Sequence, residues 1–256
     1  MKSYDNFGNI VVVRFPESFS LKNKKKFAEK LLKEQKGVRT VLEKKEKIKG
    51  RLRKLSTNYI AGENTKEVLY RENGCVFRFN IDKTYFSPRL SNERKEIASK
   101  IKKGETVLVM FAGVAPYSIV IAKLSKAKKI FSNEINREAN KYAELNIKLN
   151  KVKNKIELVN GDAKKLPEKL KQKLGVIVMP RPQLKETFLK EAFKLSKKET
   201  RIYYYDFCRI DEIDAVVEKI KKEAKKYRKK IKILRIKKAG ELAPYKIRLR
   251  VDFQVV

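Results

Sequence analysis

Histidine is absent from all 256 residues. Its absence removes histidine-dependent serine triads, His–Asp dyads and every histidine-ligated metal site. The two cysteines, Cys75 and Cys208, are too few for a structural zinc site, which takes four ligands, and they lie far outside CxxC spacing. They read as two buried apolar thiols, and no metal is expected. No apolar run approaches the roughly 18 residues of a membrane span. The opening MKSYDNFGNIVVVRF has no basic segment leading into a long apolar stretch and a cleavage site. A cytoplasmic protein without a membrane partner is expected. Acids are scarce as well: 30 Asp and Glu face 65 Lys and Arg, a net charge of +35.

A field of that size favours a polyanionic partner, nucleic acid before acidic membrane. Dense lysine, few glutamines and missing histidine also fit a thermophile surface, but ion-pair networks need matching acids, and these are lacking. Basic segments at 22–26, 126–129 and 221–232 are spread along the chain rather than gathered in a tail. No helix is amphipathic with bulky aromatics in the manner of a membrane-surface segment. A hydrophobic fraction of 42% supports a real core, and the length suits one large domain or two unequal ones.

Organisation changes near residue 85. Before it, β-rich IVVVRF (10–15), a helix over 20–36 capped by Ser20, a strand at 38–42 and the alternating stretches 67–72 and 75–81 suggest a small α+β unit. Asn73-Gly74 between the last two is a hairpin turn. After it, helix 89–102 leads into strand 107–110, and helices over 116–125, 136–150, 164–173, 184–196 and 211–228 alternate with strands at 129–133, 155–159, 175–179 and 201–207. Strands 230–237 and 246–255, joined by KAGELAPY, close the series as an antiparallel hairpin. The pattern predicts an α/β fold: a doubly wound, Rossmann-like parallel sheet over 85–256 behind a small α+β domain over 1–84. Ligands of such sheets sit beyond the carboxyl ends of the strands.

Four loops there carry chemistry. MFAGVAPYS (110–118) has small residues that admit a ligand, but it is neither GxGxxG nor followed by GK[ST]. Glu134 ends the next strand, 21 residues after Gly113, where a carboxylate accepts both hydroxyls of a ribose. Asp162 ends the third strand, placed to accept from an adenine amine, and MPRPQ (179–183) ends the fourth. A ribose acid and an adenine acid without a phosphate loop suit S-adenosylmethionine, a sulfonium, better than a dinucleotide.

The block KTYFSPRLSNER (83–94) followed by VLVMFAGVAPYSI, with RLRK…IAGEN (51–64) and RENGCVFRF (71–79) upstream, resembles the archaeal and eukaryotic tRNA guanine-37-N1 methyltransferases and the related wybutosine-forming aminocarboxypropyl transferases. The resemblance implies a class I methyltransferase sheet, S-adenosylmethionine as cofactor and the tRNA anticodon loop as partner; a monomer is expected. It places Tyr85, Arg94, Phe111, Glu134, Ile135, Asp162 and Ala163 around the cofactor. It makes Glu93 the general base for guanine N1, best served by burial that raises its pKa, and Arg53 (or Arg51) the cation at guanine O6. Tyr85, Tyr117 and Phe207 are candidates to stack on a guanine that has left its own stack. Three departures stand out: Val109 where an Asp is usual, Ala115 where a Gly is usual, and MPRP for the common NLP. MPRP resembles an archaeal branch whose members also methylate C7 of a tricyclic wyosine precursor, which brings Pro180 and Pro182 into the target-base pocket. YYYDF (203–207) follows the methyltransferase version of that strand rather than the aminocarboxypropyl one. Aminocarboxypropyl transfer and a non-catalytic RNA-binding protein are the alternatives.

Overall fold

The structure, a computed structural model, describes residues 3–45 and 55–256. Its N-terminal part is a four-stranded sheet in the order β1 (Ser3–Asn6), β2 (Ile10–Arg14), β3 (Thr40–Lys44), β4 (Thr57–Gly62). Between the parallel strands β2 and β3 runs α1 (Leu21–Glu34), capped by the Ser20 hydroxyl, which accepts from Asn23 N as the sequence predicts. Ala28 and Leu31 of α1 bury against Val11, Val13, Val41 and Ile60. The strand expected at 38–42 lies two residues later. β1 and β4 escape a reading of pattern because neither alternates: β1 is polar, and β4 buries only Thr57 and Ile60.

The hairpin of β5 (Glu67–Glu72) and β6 (Cys75–Asn80) turns at Asn73-Gly74, whose φ values of +48° and +70° are those of a type I′ turn. Beyond it the chain alternates helix and strand: α2 (Ser91–Ser99), β7 (Thr106–Val109), α3 (Pro116–Leu124), β8 (Lys129–Glu134), α4 (Arg137–Leu149), β9 (Ile156–Asn160), α5 (Leu166–Lys169), β10 (Leu174–Met179), α6 (Leu189–Leu195), β11 (Ser196–Arg209), α7 (Ile213–Lys226), β12 (Ile231–Ala243) and β13 (Lys246–Val255). One seven-stranded sheet results, in the order β12-β13-β11-β10-β7-β8-β9. Five strands are parallel, and β12 and β13 close the edge antiparallel. The order reverses between β7 and β10, so the loops after those two strands diverge and leave a crevice.

Adjacent strand residues point to opposite faces, which builds two cores. Val107, Val109, Val176 and Val178 pack with Ile97, Ile119 and Ala139 of α2, α3 and α4. Leu108, Met110, Ile177 and Met179 pack with Leu166, Leu189 and Val217 of α5, α6 and α7. The β5–β6 hairpin joins the first core through Val68, Phe77 and Phe79. Asn146 and Asn150, four apart on and just past α4, each exchange two hydrogen bonds with the backbone of β6, at Arg78 and Val76, and so act in place of a neighbouring strand.

Three expected elements differ. The helix predicted over 164–173 is a 3-10 turn at Ala163–Lys165 followed by the single turn of α5, which starts at Leu166 with Pro167 in its first turn. The helix predicted over 184–196 begins only at Leu189, because the Leu184 and Glu186 carbonyls are taken by Arg181 instead of helical N–H groups. In place of the connection expected at KAGELAPY, β12 runs on to Ala243 with three register shifts against β13, which break its alternation.

Candidate active site

The crevice at the strand ends holds a cavity lined by Tyr85, Phe111, Gly113, Glu134, Ile135, Ala163, Pro180, Pro182 and Leu184, with Asn133, Asn136, Ala139 and Gly161 completing the wall. Seven residues singled out in the sequence come together in it from five separate loops. The loop after β7 is tightly bent: Phe111, Gly113 and Ala115 have φ of +56°, +58° and +66°. The usual glycine at position 115 is explained by that left-handed backbone, which Ala adopts at a cost of roughly 1–2 kcal/mol. Val109 is fully buried in the first core and offers the cavity no polar anchor.

Glu134 is held by backbone donors. Its Oε2 accepts from Gly113 N at 2.7 Å, and its Oε1 from Ile135 N and Asn136 N at 2.9 and 2.8 Å. A carboxylate fixed at the rim of a cavity with Phe111, Ile135, Ala163, Pro180 and Leu184 as apolar walls fits a ribose diol beside a flat base. Asp162 lies between the lining residues Gly161 and Ala163 and caps the turn that follows, accepting from Lys164 N at 3.0 Å. Asn133 and Asn136, which the sequence reading passed over, brace this corner. Asn133 donates to the Val159 and Gly161 carbonyls, and Asn136 donates to Lys83 O while capping α4. The Asn136 cap had a readable signal, a polar side chain just before a helical pattern.

Arg94 does not line the cavity. Its guanidinium makes a two-pronged ion pair with Glu72 of β5 at 2.5 Å, donates to Ser87 O at 3.1 Å and stacks between Phe86 and Tyr117. Through Ser87 it fixes the loop that carries Tyr85 into the cavity. Glu93, the residue before Arg94 on α2, is buried among donors rather than in an apolar pocket. Its Oε1 accepts from Tyr205 Oη at 2.8 Å and from Arg250, and its Oε2 accepts from Lys237 at 2.9 Å. Burial, with the Tyr117 and Glu93 groups alongside, pushes the Tyr205 phenol well above its usual range, which keeps it a donor. Glu96 shares both cations. Burial alone would raise its carboxyl, but hydrogen bonds from Lys237 and Arg250 and their charges hold it down at about 2. Tyr205, Lys237 and Arg250 come from the neighbouring strands β11, β12 and β13. Arg53, and Arg51 with it, lie outside the described residues.

Pro180 and Pro182 stand in the cavity wall, and Arg181 between them points away into the protein. It is 1% exposed, pairs with Asp206 at 2.5 Å, donates to the Leu184 and Glu186 carbonyls and lies over the Tyr204 ring. The MPRP segment is therefore a loop pinned from behind by its arginine.

A wider cleft opens on the other side of Tyr85, between the N-terminal sheet, the loop 85–90 and the tip of the β12–β13 hairpin. Tyr85 is a wall of both, so the cavity and the cleft meet at that ring. Among the described residues, no helix is long and apolar enough to cross a membrane.

Residues 68–234 match the family model described as the TRM5/TYW2 methyltransferase domain, and residues 1–65 match the TYW2 N-terminal domain. The chain is 36% identical over 255 residues to the tRNA (guanine(37)-N(1))-methyltransferase Trm5b of Pyrococcus abyssi, covering 99% of this chain and 74% of that protein. The crystal structure of that relative superposes with a TM-score of 0.88. It is 33% identical over 304 residues to the tRNA (guanine(37)-N(1))/4-demethylwyosine(37)-methyltransferase Taw22 of Nanoarchaeum equitans, covering 99% of this chain and 100% of that protein. Methanocaldococcus jannaschii Trm5 in complex with adenosine is similar in structure, with a TM-score of 0.83, 29% identity and coverage of 99% and 74%.

Proposed function

The chain belongs to the TRM5/TYW2 methyltransferase family, and from that premise we propose that it transfers a methyl group from S-adenosylmethionine to N1 of guanosine 37 in tRNA. The observation that carries the reading is the cavity at the sheet's reversal point, where five residues expected at the cofactor meet the two prolines expected at the target base. In it Glu134 holds the ribose hydroxyls, Ile135, Ala163 and Phe111 enclose the base with Asp162 at its edge, and Tyr85 closes the side toward the cleft. Arg94 acts from behind that wall.

When bound, the cofactor supplies a methyl group on a sulfonium, a leaving group that needs no proton. What the chain must add is position and a place for the N1 proton. Glu93 is that acceptor in this reading. Because Lys237 and Arg250 are also paired with Glu96, Glu93 takes up a proton without leaving either cation unpaired. Arg53 is assigned to guanine O6. Pro180 and Pro182 shape the wall against the target base. The N-terminal unit expected over 1–84 faces the RNA, its β5–β6 hairpin being the part built into the catalytic core. We place the protein in the cytoplasm as a monomer.

Similarity along the whole of Taw22, together with both prolines in the cavity wall, favours a second acceptor, the C7 carbon of a tricyclic wyosine precursor. The test is labelled-methyl transfer to transcripts carrying guanosine, adenosine or the tricyclic base at position 37. Label on guanosine and not adenosine is expected. Label on no substrate, or an aminocarboxypropyl product, overturns methyl transfer.

A further inference from the structure

The cleft beside Tyr85 holds more positive charge than its acids answer. Of its two carboxylates, Asp5 is taken by Arg89 at 2.5 Å and Glu241 by Lys238. Three cations in its wall have no carboxylate partner among the described residues: Arg14, Lys44 and Arg248. They come from three strands in two domains.

The fold puts Arg14 and Lys44 side by side. β2 and β3 are parallel with Val13 opposite Glu43, so the next residue on each strand shares a rung and a face. Like charges on neighbouring strands repel, and folding gains nothing from that placement. Burial, then the charge of Arg14, pushes the Lys44 amine below its usual range. Glu43, the acid nearest in sequence, points to the other face and is paired with Lys24 at 2.7 Å.

Arg248 approaches from the opposite wall. On β13 it alternates with Arg250 and Asp252 on one face, opposite Phe207, Tyr205 and Tyr203 of β11. Arg250 is consumed by Glu93, Glu96 and Asp252. Arg248, one rung nearer the strand ends, stacks on Phe207 with 5.0 Å between guanidinium and ring centroid, and donates to Tyr85 Oη at 3.4 Å. A guanidinium held over an aromatic ring, where no carboxylate takes its N–H groups, keeps donors for a phosphate.

We propose that Arg14, Lys44 and Arg248 form a clamp for the phosphodiester backbone flanking the target nucleotide, drawn from both domains so that only the RNA completes it. The proposal rests on the RNA reading of the site and names the groups that grip the strand. Because the clamp reaches Tyr85 through Arg248, the gripped segment lies at the mouth of the cofactor cavity.

The test is binding of a synthetic anticodon stem–loop, read by fluorescence anisotropy across a salt series without any methyl transfer. A protein that methylates nothing therefore still answers it. Each of Arg14→Gln, Lys44→Gln and Arg248→Gln is expected to flatten the slope of log K against log salt by about 0.7, and the triple variant by about two. Removing three exposed charges at the far end of α7 (Lys222, Lys225 and Lys226 to Gln) serves as the control and leaves most of the slope intact. Neutralising a phosphate beside the target nucleotide as a methylphosphonate weakens the wild type about as much as one clamp substitution does, and the two together cost no more than one. Additive losses, or an unchanged slope in the triple variant, overturn the clamp. Stabilisation of the wild type but not the variants by inorganic phosphate, with the RNA slope unchanged, assigns the cations to a free anion and overturns it also. Arg14 is exposed, so Arg14→Gln carries the test if Lys44→Gln fails to fold.

Discussion

Arg94→Met separates a structural arginine from a cofactor ligand. Arg94 and Glu72 have side chains 1% and 2% exposed, and the guanidinium meets the carboxylate with two hydrogen bonds of 2.5 Å. Methionine keeps the apolar stem against Phe86 and Tyr117 and removes the charge. Glu72 is then a buried carboxylate without its cation, and breaking such a pair on one side costs about 3–5 kcal/mol. For a chain of this length about 2–4 °C of Tm is lost per kcal/mol, so a fall of roughly 6–20 °C is expected in calorimetry. Removing the stranded acid as well, in Glu72→Gln/Arg94→Met, should recover much of the loss. Cofactor affinity, measured by titration below the lowered Tm, should fall only modestly, through the loosened Ser87 and Tyr85 segment. An Arg94→Met protein with wild-type Tm and no measurable cofactor binding would refute the reasoning and put Arg94 on the ligand.

Three further outcomes follow from the same contacts. Glu96 sits at about 2 against an ordinary 4.5, so its contribution to stability is complete above pH 4.5 and is lost as pH falls toward 2. Urea midpoints should show that decline for the wild type and a flatter one for Glu96→Gln. Arg181→Met leaves Asp206 and two carbonyls without their donor and should cost about 3 kcal/mol. It should weaken S-adenosylmethionine binding about tenfold as Pro180 and Pro182 lose their fixed position, an effect of some 1.4 kcal/mol, and a calorimetric titration checks it. Burial pushes the Cys75 and Cys208 thiols up to about 11. Neither should react with a thiol reagent at pH 8 until urea unfolds the chain.

The parts readable from sequence are those in which one local rule acts alone. Apolar runs bounded by helical periods located β7, β8, β9 and β10, and the Asn73-Gly74 turn located the hairpin, because those patterns are decided within a few residues. Glu134 was readable because a strand end fixes where its side chain goes. Elements decided by distant partners were not. Arg181 withdraws two carbonyls from the expected start of a helix, and the bulges of β12 scramble its alternation. The surroundings of Glu93 are assembled from β11, β12 and β13, more than 100 residues away in sequence. No spacing rule reaches that far. Arg94, read beside Glu93 as one motif, turns instead to Glu72, since neighbours on a helix face different directions.

The central claim, that this cavity delivers a methyl group to guanine N1 with Glu93 taking the proton, is met most directly by nucleoside mass spectrometry. An unmodified guanosine-37 tRNA would be incubated with S-adenosylmethionine and either the wild type or Glu93→Gln. The account predicts N1-methylguanosine from the wild type, and a loss of at least a hundredfold in Glu93→Gln without loss of cofactor binding. N1-methylguanosine formed equally well by Glu93→Gln, or no methylated guanosine from the wild type, would contradict it.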